Sequence, residues 1–206
     1  MAAKADAPMM AEILEGIRFV KGNKVIVSLL LVAIVPILLV MPYQMLMPVF
    51  ARTIFNAGET GLGMLMSATG VGALIGSIIT AMMGDYQRKG ILMLITGFAF
   101  GFFLMPFAMS GSLVPAAIYL VFVGTSSSIF MALNNTLLMS NTPEDLMGRV
   151  MSIFMMTFGL MPLGTVPSGA LAEIIGAPLT VSGGGVLLIV FLIIVSIYQP
   201  IIRKLR

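Results

Sequence analysis

The groups that could do chemistry in this chain are few, and they are not the usual ones. Its 206 residues include no Cys and no His, which removes thiolate nucleophiles, imidazole bases, disulfides and the common zinc ligands. Eleven bases and eight acids remain, and two short stretches concentrate them. GDYQRKG, Gly84 to Gly90, holds Asp85, Arg88 and Lys89, and SNTPEDLMGR, Ser140 to Arg149, holds Glu144, Asp145 and Arg149. No set of nucleophile, base and orienting group is visible, so neither an enzyme nor a cofactor is expected. An acid at the end of one helix can instead accept from the free backbone N–H groups at the start of another. Such a contact holds two helix ends together.

Uncharged polar groups form a second set, comprising Gln44, the run Thr125, Ser126, Ser127 and Ser128, and the pair Asn134 and Asn135. All stand inside long apolar runs, where an amide or hydroxyl must face a cavity or bond a neighbouring helix. Cavity lining and interhelical hydrogen bonding are both open to them. Glu173 is the one acid within an apolar run as read from the sequence. It falls near the run's end, where anchoring at the interface and proton coupling are alternatives.

The elements that must position these groups follow from composition. With 59% hydrophobic residues and a mean hydropathy of +1.11, the chain has more apolar surface than a soluble core of this length can bury. It reads as an all-α integral membrane six-helix bundle. At about 20 apolar residues per crossing, spans are expected near Val25 to Phe50, Gly61 to Met83, Ile91 to Met109, Leu113 to Met139, Val150 to Ile175 and Leu179 to Gln199. Prolines 36, 42, 48, 106, 115, 162 and 167 should bend or interrupt helices or cap their ends. Residues 1–24 form a leader, 25–199 the bundle and 200–206 a basic tail. The first apolar run is too long for a signal core. In the leader, Met10, Ile13, Leu14 and Ile17 lie at helical spacing opposite Glu12, Glu15 and Arg18, as in a helix on the membrane surface, although a flexible linker is equally compatible.

Six spans leave both termini on one side, and short connections make consecutive helices antiparallel neighbours. Lys4, Arg18, Lys21, Lys24, Arg88, Lys89, Arg149, Arg203, Lys204 and Arg206 share one face, and only Arg52 lies on the other. The positive-inside rule then makes both termini cytoplasmic in a plasma (inner) membrane. Tyr86 and Tyr198 should mark the inner interface and Tyr43 the outer one. Bases placed at span ends rather than in a stripe give no reason to expect nucleic acid as a partner.

The second and fifth spans are glycine-rich. Ala68, Gly72 and Gly76 follow a small-xxx-small pattern along one face of the second, and Gly159, Gly164 and Gly169 punctuate the fifth, as helix-packing positions would. Each is the middle of a triplet, and the triplets are oppositely oriented, as in a three-plus-three inverted repeat.

Three stretches carry a family resemblance: EGIRFVKGNKVI before the first span, GLGMLMSATGVGALIGSII in the second, and NTPEDLMGRVMSIFMMTFGLMPLGTVPSGALAEIIGAPLTV through the fifth. With them the chain resembles the C-terminal six-helix half of major facilitator superfamily transporters, in the drug and siderophore branch that includes macrolide-efflux and enterobactin-exporter-like proteins. The resemblance implies half of a twelve-helix fold, alternating access, and export of amphiphilic small molecules, usually driven by proton entry. It implies as partners the lipid bilayer, a small-molecule substrate and a second six-helix unit. A fragment or separated half is expected in preference to a homodimer. The family's inner motif is matched by Asp85 with Arg88 and Lys89, but Ala81 and Tyr86 depart from it. The resemblance makes Asp85 a latch and Glu144, Asp145 and Arg149 its matching gate. The alternatives are topology signals for Arg88 and Lys89, and a local ion pair in a solvated loop for the second cluster. A scaffold or assembly protein that keeps the bundle without the cavity is the rival reading.

Overall fold

A computed structural model describes residues 18–84, 86–203 and 205. The leader helix expected over Met10 to Ile17 and the latch acid Asp85 lie outside the described residues. Lipid offers the backbone no hydrogen-bond partners, so each apolar run closes its N–H and C=O groups internally as helix. Asn23 starts α1 (Lys24–Leu39) by accepting from the Val25 and Ile26 amides at 3.0 and 3.3 Å, the usual role of an asparagine cap. Pro36 lies inside α1 and Pro42 caps α2 (Tyr43–Val49). Proline has no N–H to continue the ladder, and the Met41 amide instead reaches back to the Pro36 carbonyl at 2.9 Å. The span then widens into a π-helix over Phe50–Ile54, where the Phe55 amide bonds the Phe50 carbonyl five residues back.

The remaining helices are α3 (Gly58–Met82), α4 (Lys89–Met109), α5 (Leu113–Ser140), α6 (Met147–Phe158), α7 (Met161–Ile175), α8 (Ala177–Tyr198) and α9 (Pro200–Arg203). Together they supply six segments long and apolar enough to cross a membrane: Lys24–Ile54, Gly58–Met82, Lys89–Met109, Leu113–Ser140, Met147–Ile175 and Ala177–Tyr198. These correspond to the six expected spans, except that the first and fifth are not single helices. Between α6 and α7 the ladder shortens, with Gly159 bonding Met156 and Leu160 bonding Thr157, just before Pro162 restarts the helix.

Within the bundle α5 is central, packed on α3 and α4 and crossed by α1, while α8 packs on α4 and α7. The α3–α5 seam is close because Gly72 faces the Val121 carbonyl and Gly124 faces the Thr69 carbonyl, where a methyl group would overlap either oxygen. Gly76 is similar, since a Cβ there would stand 2.6 Å from the Thr125 carbonyl oxygen. Ala68, one turn before Gly72, is half-buried and packs against the core. Small residues thus do the work that hydrophobic exclusion does in water.

The fifth span differs from what its glycines suggest. Gly164 is buried against the backbone of Leu38, but an added Cβ at Gly169 meets nothing within 4 Å and at Gly159 only the carbonyl of its own helix. Gly159 therefore serves as the cap of α6, and neither it nor Gly169 packs between helices. Tyr43 also departs from expectation. Instead of marking an interface it is 2% exposed, with its ring edge-on to Phe107 at 6.3 Å.

Candidate functional site

The starts of α1, α4 and α6 and the end of α8 meet at one end of the bundle, here termed the basic end, which carries Lys24, Arg88, Lys89, Arg149 and Arg203. Arg88 and Lys89 sit at the N-terminus of α4, where Arg88 occupies the cap position. Its side chain is exposed and that of Lys89 half-buried. Glu144 and Asp145 occupy an exposed turn closed by the Leu146 amide on the Pro143 carbonyl at 3.0 Å. They precede α6, which starts at Met147 with no acid in its first turn and no side-chain cap. The Thr142 hydroxyl donates back to the Leu138 carbonyl at 2.7 Å, at the end of α5. Arg149 is half-buried in the first turn of α6 and is engaged.

The polar groups expected to line a cavity separate. Thr125 donates to the Gly72 carbonyl at 3.0 Å and to Val121 at 2.8 Å, which commits it to the α3–α5 seam. Ser126 is buried on the Phe122 carbonyl, and Ser127 bonds Gly124 within its own helix. Ser128 shares a 3.2 Å hydrogen bond with Ser77 at the seam's edge. Asn134 is fully buried among α1, α4 and α5, where its Nδ2 donates to the Leu29 carbonyl at 3.1 Å and its Oδ1 has no partner. Thr125, Ser128 and Asn134 thus link helices, while Ser126 and Ser127 bond within α5. Asn135 is half-buried, also with an unpartnered buried Oδ1. Gln44 alone of the set is exposed on a concavity, which it shares with Met47, Met66, Thr69, Gly70 and Ala73.

Exposure distinguishes two kinds of surface. On α4 the exposed positions are Ile95, Phe102 and Met109, and on α8 they are large apolar residues from Leu179 through Ile197 with Tyr198 at the end. Such faces suit hydrocarbon. On α3, by contrast, the exposed surface is mixed, with Gly63, Ser67, Gly70, Ser77 and Ala81 interspersed among large apolar residues such as Met66, Leu74 and Ile78. On α6 and α7, Ser152, Pro162, Pro167 and Ala170 alternate with Met156, Leu163, Val166 and Ile174. Only 17% of the second span's apolar window and 22% of the fifth's are buried, against 50% in the third and fourth. Both flank the first span, since α3 packs beside the π-helix and α7 meets α1 at Gly164 and Leu38. This mixed face was missed from sequence, although Gln44 on the adjoining α2 was marked. The serines of α3 were its available signal.

Among the described residues the acids are confined to the ends. Glu59 opens α3, so Glu173 is not the only acid within a span, and both lie exposed at the end opposite the basic one. The Arg52–Glu59 pair, at 3.5 Å with both side chains exposed, adds little.

Residues 4–203 match the family described as transmembrane secretion effectors, a branch of the major facilitator superfamily. The chain belongs to that family. It is thus a multi-pass membrane protein of a transporter family, not an enzyme. Macrolide efflux protein A of Streptococcus pyogenes is 26% identical over 98% of this chain and 49% of its own length. The multidrug efflux pump Tap of Mycolicibacterium fortuitum is 27% identical over 96% and 48%, and the enterobactin exporter EntS of Salmonella typhimurium 30% identical over 52% and 26%. This family member therefore spans about half the length of the curated relatives it matches along nearly its whole extent. No solved structure gives a significant match.

Proposed function

We propose that the chain is one six-helix half of an efflux transporter, and that amphiphilic small molecules cross between it and a second six-helix unit. The observation that carries this reading is the set of small and polar residues exposed among the apolar ones on α3, α6 and α7, positions that would let a partner helix approach closely. The chain's overlap with about half the length of efflux proteins supports a second unit of similar size.

The basic end faces the cytoplasm of a plasma-membrane protein, as the positive-inside rule requires of Arg88, Lys89, Arg149 and Arg203. At that end Asp85 latches the inner-closed state against the partner, and Glu144, Asp145 and Arg149 form the facing gate. Export is proton-coupled, and the relay carboxylate belongs to the second unit, because Glu59 and Glu173 stand at the far end. One observation favours the rival scaffold reading: Gln44 and Asn134 do not share a concave face.

Flux separates the two readings. Proteoliposomes holding this chain alone should show no uptake of a labelled macrolide under an imposed proton gradient, and uptake should appear when a second six-helix unit is co-reconstituted. Transport by the chain alone would remove the need for a partner, and none with either preparation would favour the scaffold.

A further inference from the structure

Gly70 is the thirteenth residue of α3 (58 + 12 = 70), so at about 1.5 Å per residue it lies roughly 18 Å from the helix's first residue, near the depth of a bilayer's centre. At that depth a cavity of about 190 Å³ opens between α2 and α3, lined by Gln44, Met47, Met66, Thr69, Gly70 and Ala73. Gln44 is exposed there, and an amide turned toward hydrocarbon at this level is costly. The buried Tyr43 hydroxyl interacts with the Gln44 and Thr69 side chains, and Thr69 also donates to the Leu65 carbonyl at 3.1 Å. An amide has two donor hydrogens and two acceptor sites, so Gln44 keeps hydrogen-bonding capacity beyond the phenol. Met47 and Met66 add polarizable, adaptable surface. Among the described residues every Asp, Glu, Lys and Arg lies toward an end of the bundle, so the cavity has no counter-ion to offer a charged group.

We infer that this cavity is a binding subsite for the uncharged, oxygen-bearing part of a bulky lipophilic substrate. Gln44 donates to a carbonyl or ether oxygen, while Met47 and Met66 pack against the adjoining apolar surface. The volume falls below the ~300 Å³ at which whole-ligand pockets begin, so it receives a moiety and leaves the remainder of the substrate to other walls of the pathway. Gly70 admits that moiety, for an added Cβ there meets nothing within 4 Å. The inference rests on the proposed transport face.

The absence of cysteine allows a direct test on the full chain in membranes. Single cysteines are introduced as Gly70→Cys, as Gly63→Cys on the same exposed face, and as Ile95→Cys and Val190→Cys on the large-apolar faces. Each is treated with a charged, membrane-impermeant methanethiosulfonate, which needs an ionisable thiol in water. Gly70→Cys and Gly63→Cys should label, and the other two should not. Nile red, an uncharged dye with a ring carbonyl, should slow labelling of Gly70→Cys about tenfold at saturation and leave Gly63→Cys unchanged. Adding Gln44→Leu should raise the half-protecting concentration about five- to tenfold, as the loss of one hydrogen bond predicts, and the cation ethidium should not protect.

Labelling of Gly70→Cys without Nile red protection, or protection undiminished by Gln44→Leu, would overturn the subsite and leave the transport face standing. Equal protection by ethidium would overturn its preference for uncharged groups. If Gly70→Cys proved as unreactive as Ile95→Cys, the face would be against lipid, and the functional reading would fall with the subsite.

Discussion

Single atoms decide much of this protein's packing. Gly72 and Gly63 lie on the same helix, yet a methyl group at Gly72 would strike the Val121 carbonyl and one at Gly63 would meet nothing. Gly72→Ala should therefore cost about 1–3 kcal/mol, as forced overpacking does, while Gly63→Ala should be neutral or slightly stabilising through helix propensity. Thermal unfolding of the two variants in detergent would measure the difference. Asn134 offers a different contrast. Its Oδ1 is buried without a partner, so Asn134→Leu, similar in size, should change stability by no more than about 1 kcal/mol. Asn134→Asp should be far worse at neutral pH, since the carboxyl must either be buried as a charge or take up a proton against its ordinary tendency to ionise. The sequence marked both asparagines as polar groups in an apolar run but could not orient them. In lipid nearly every face of a helix is apolar, and periodicity then says little about which side is buried.

At the scale of elements, span number and limits were readable because hydrocarbon imposes length and excludes charge. The breaks were partly readable, since Pro42 and Pro162 mark the places where the first and fifth spans are resumed, although the expected limits treated each span as continuous. The gate cluster was less so. Thr142, Pro143 and Glu144 have the look of a helix start, but Thr142 closes the preceding helix and α6 begins only at Met147. A cap motif names residue types that also suit a turn, and tertiary packing chooses between them. The seam between α1 and α7 rests on Gly164 against Leu38. Gly164→Val should wedge these helices apart and lower the thermal midpoint by several degrees, with Gly169→Val, open to space, as the matched control.

For the whole molecule the governing asymmetry is that of its outer surface. The second and fifth spans expose small and polar residues interspersed with large apolar ones, whereas the exposed residues of α4 and α8 are nearly all large and apolar. In the proposed function the mixed side meets a partner and water. Composition announced the membrane but could not locate the mixed side, because glycine serves equally for packing and for open space, as Gly72 and Gly70 show. Orientation belongs to this scale too. A cysteine at Gly111, in the link between α4 and α5 at the end opposite the bases, should react with an impermeant reagent added outside intact cells, and one at Ser140 should react only after the membrane is opened. The reverse pattern would show that the bases do not set the topology.

Near the basic end, residues 199–203 and 205 lie against the starts of α1 and α4. The Ile202 backbone occupies the space a side chain at Gly90 would need, the Leu205 carbonyl accepts from the Gly90 amide at 3.3 Å, and the Ser28 hydroxyl meets the Gln199 amide oxygen. Chain synthesis gives this contact a schedule. Ile202 leaves the ribosome 112 residues after Gly90 (202 − 90 = 112), a wait of roughly 6–22 s at 5–20 residues per second. Throughout that interval the start of α4 is without its cover, and the bundle's basic end is among the last parts of the bundle to be completed. Interrupting translation before Gln199 should leave a six-span chain whose loop at Arg88 is cut by protease faster than in the finished protein, a difference that pulse labelling would record.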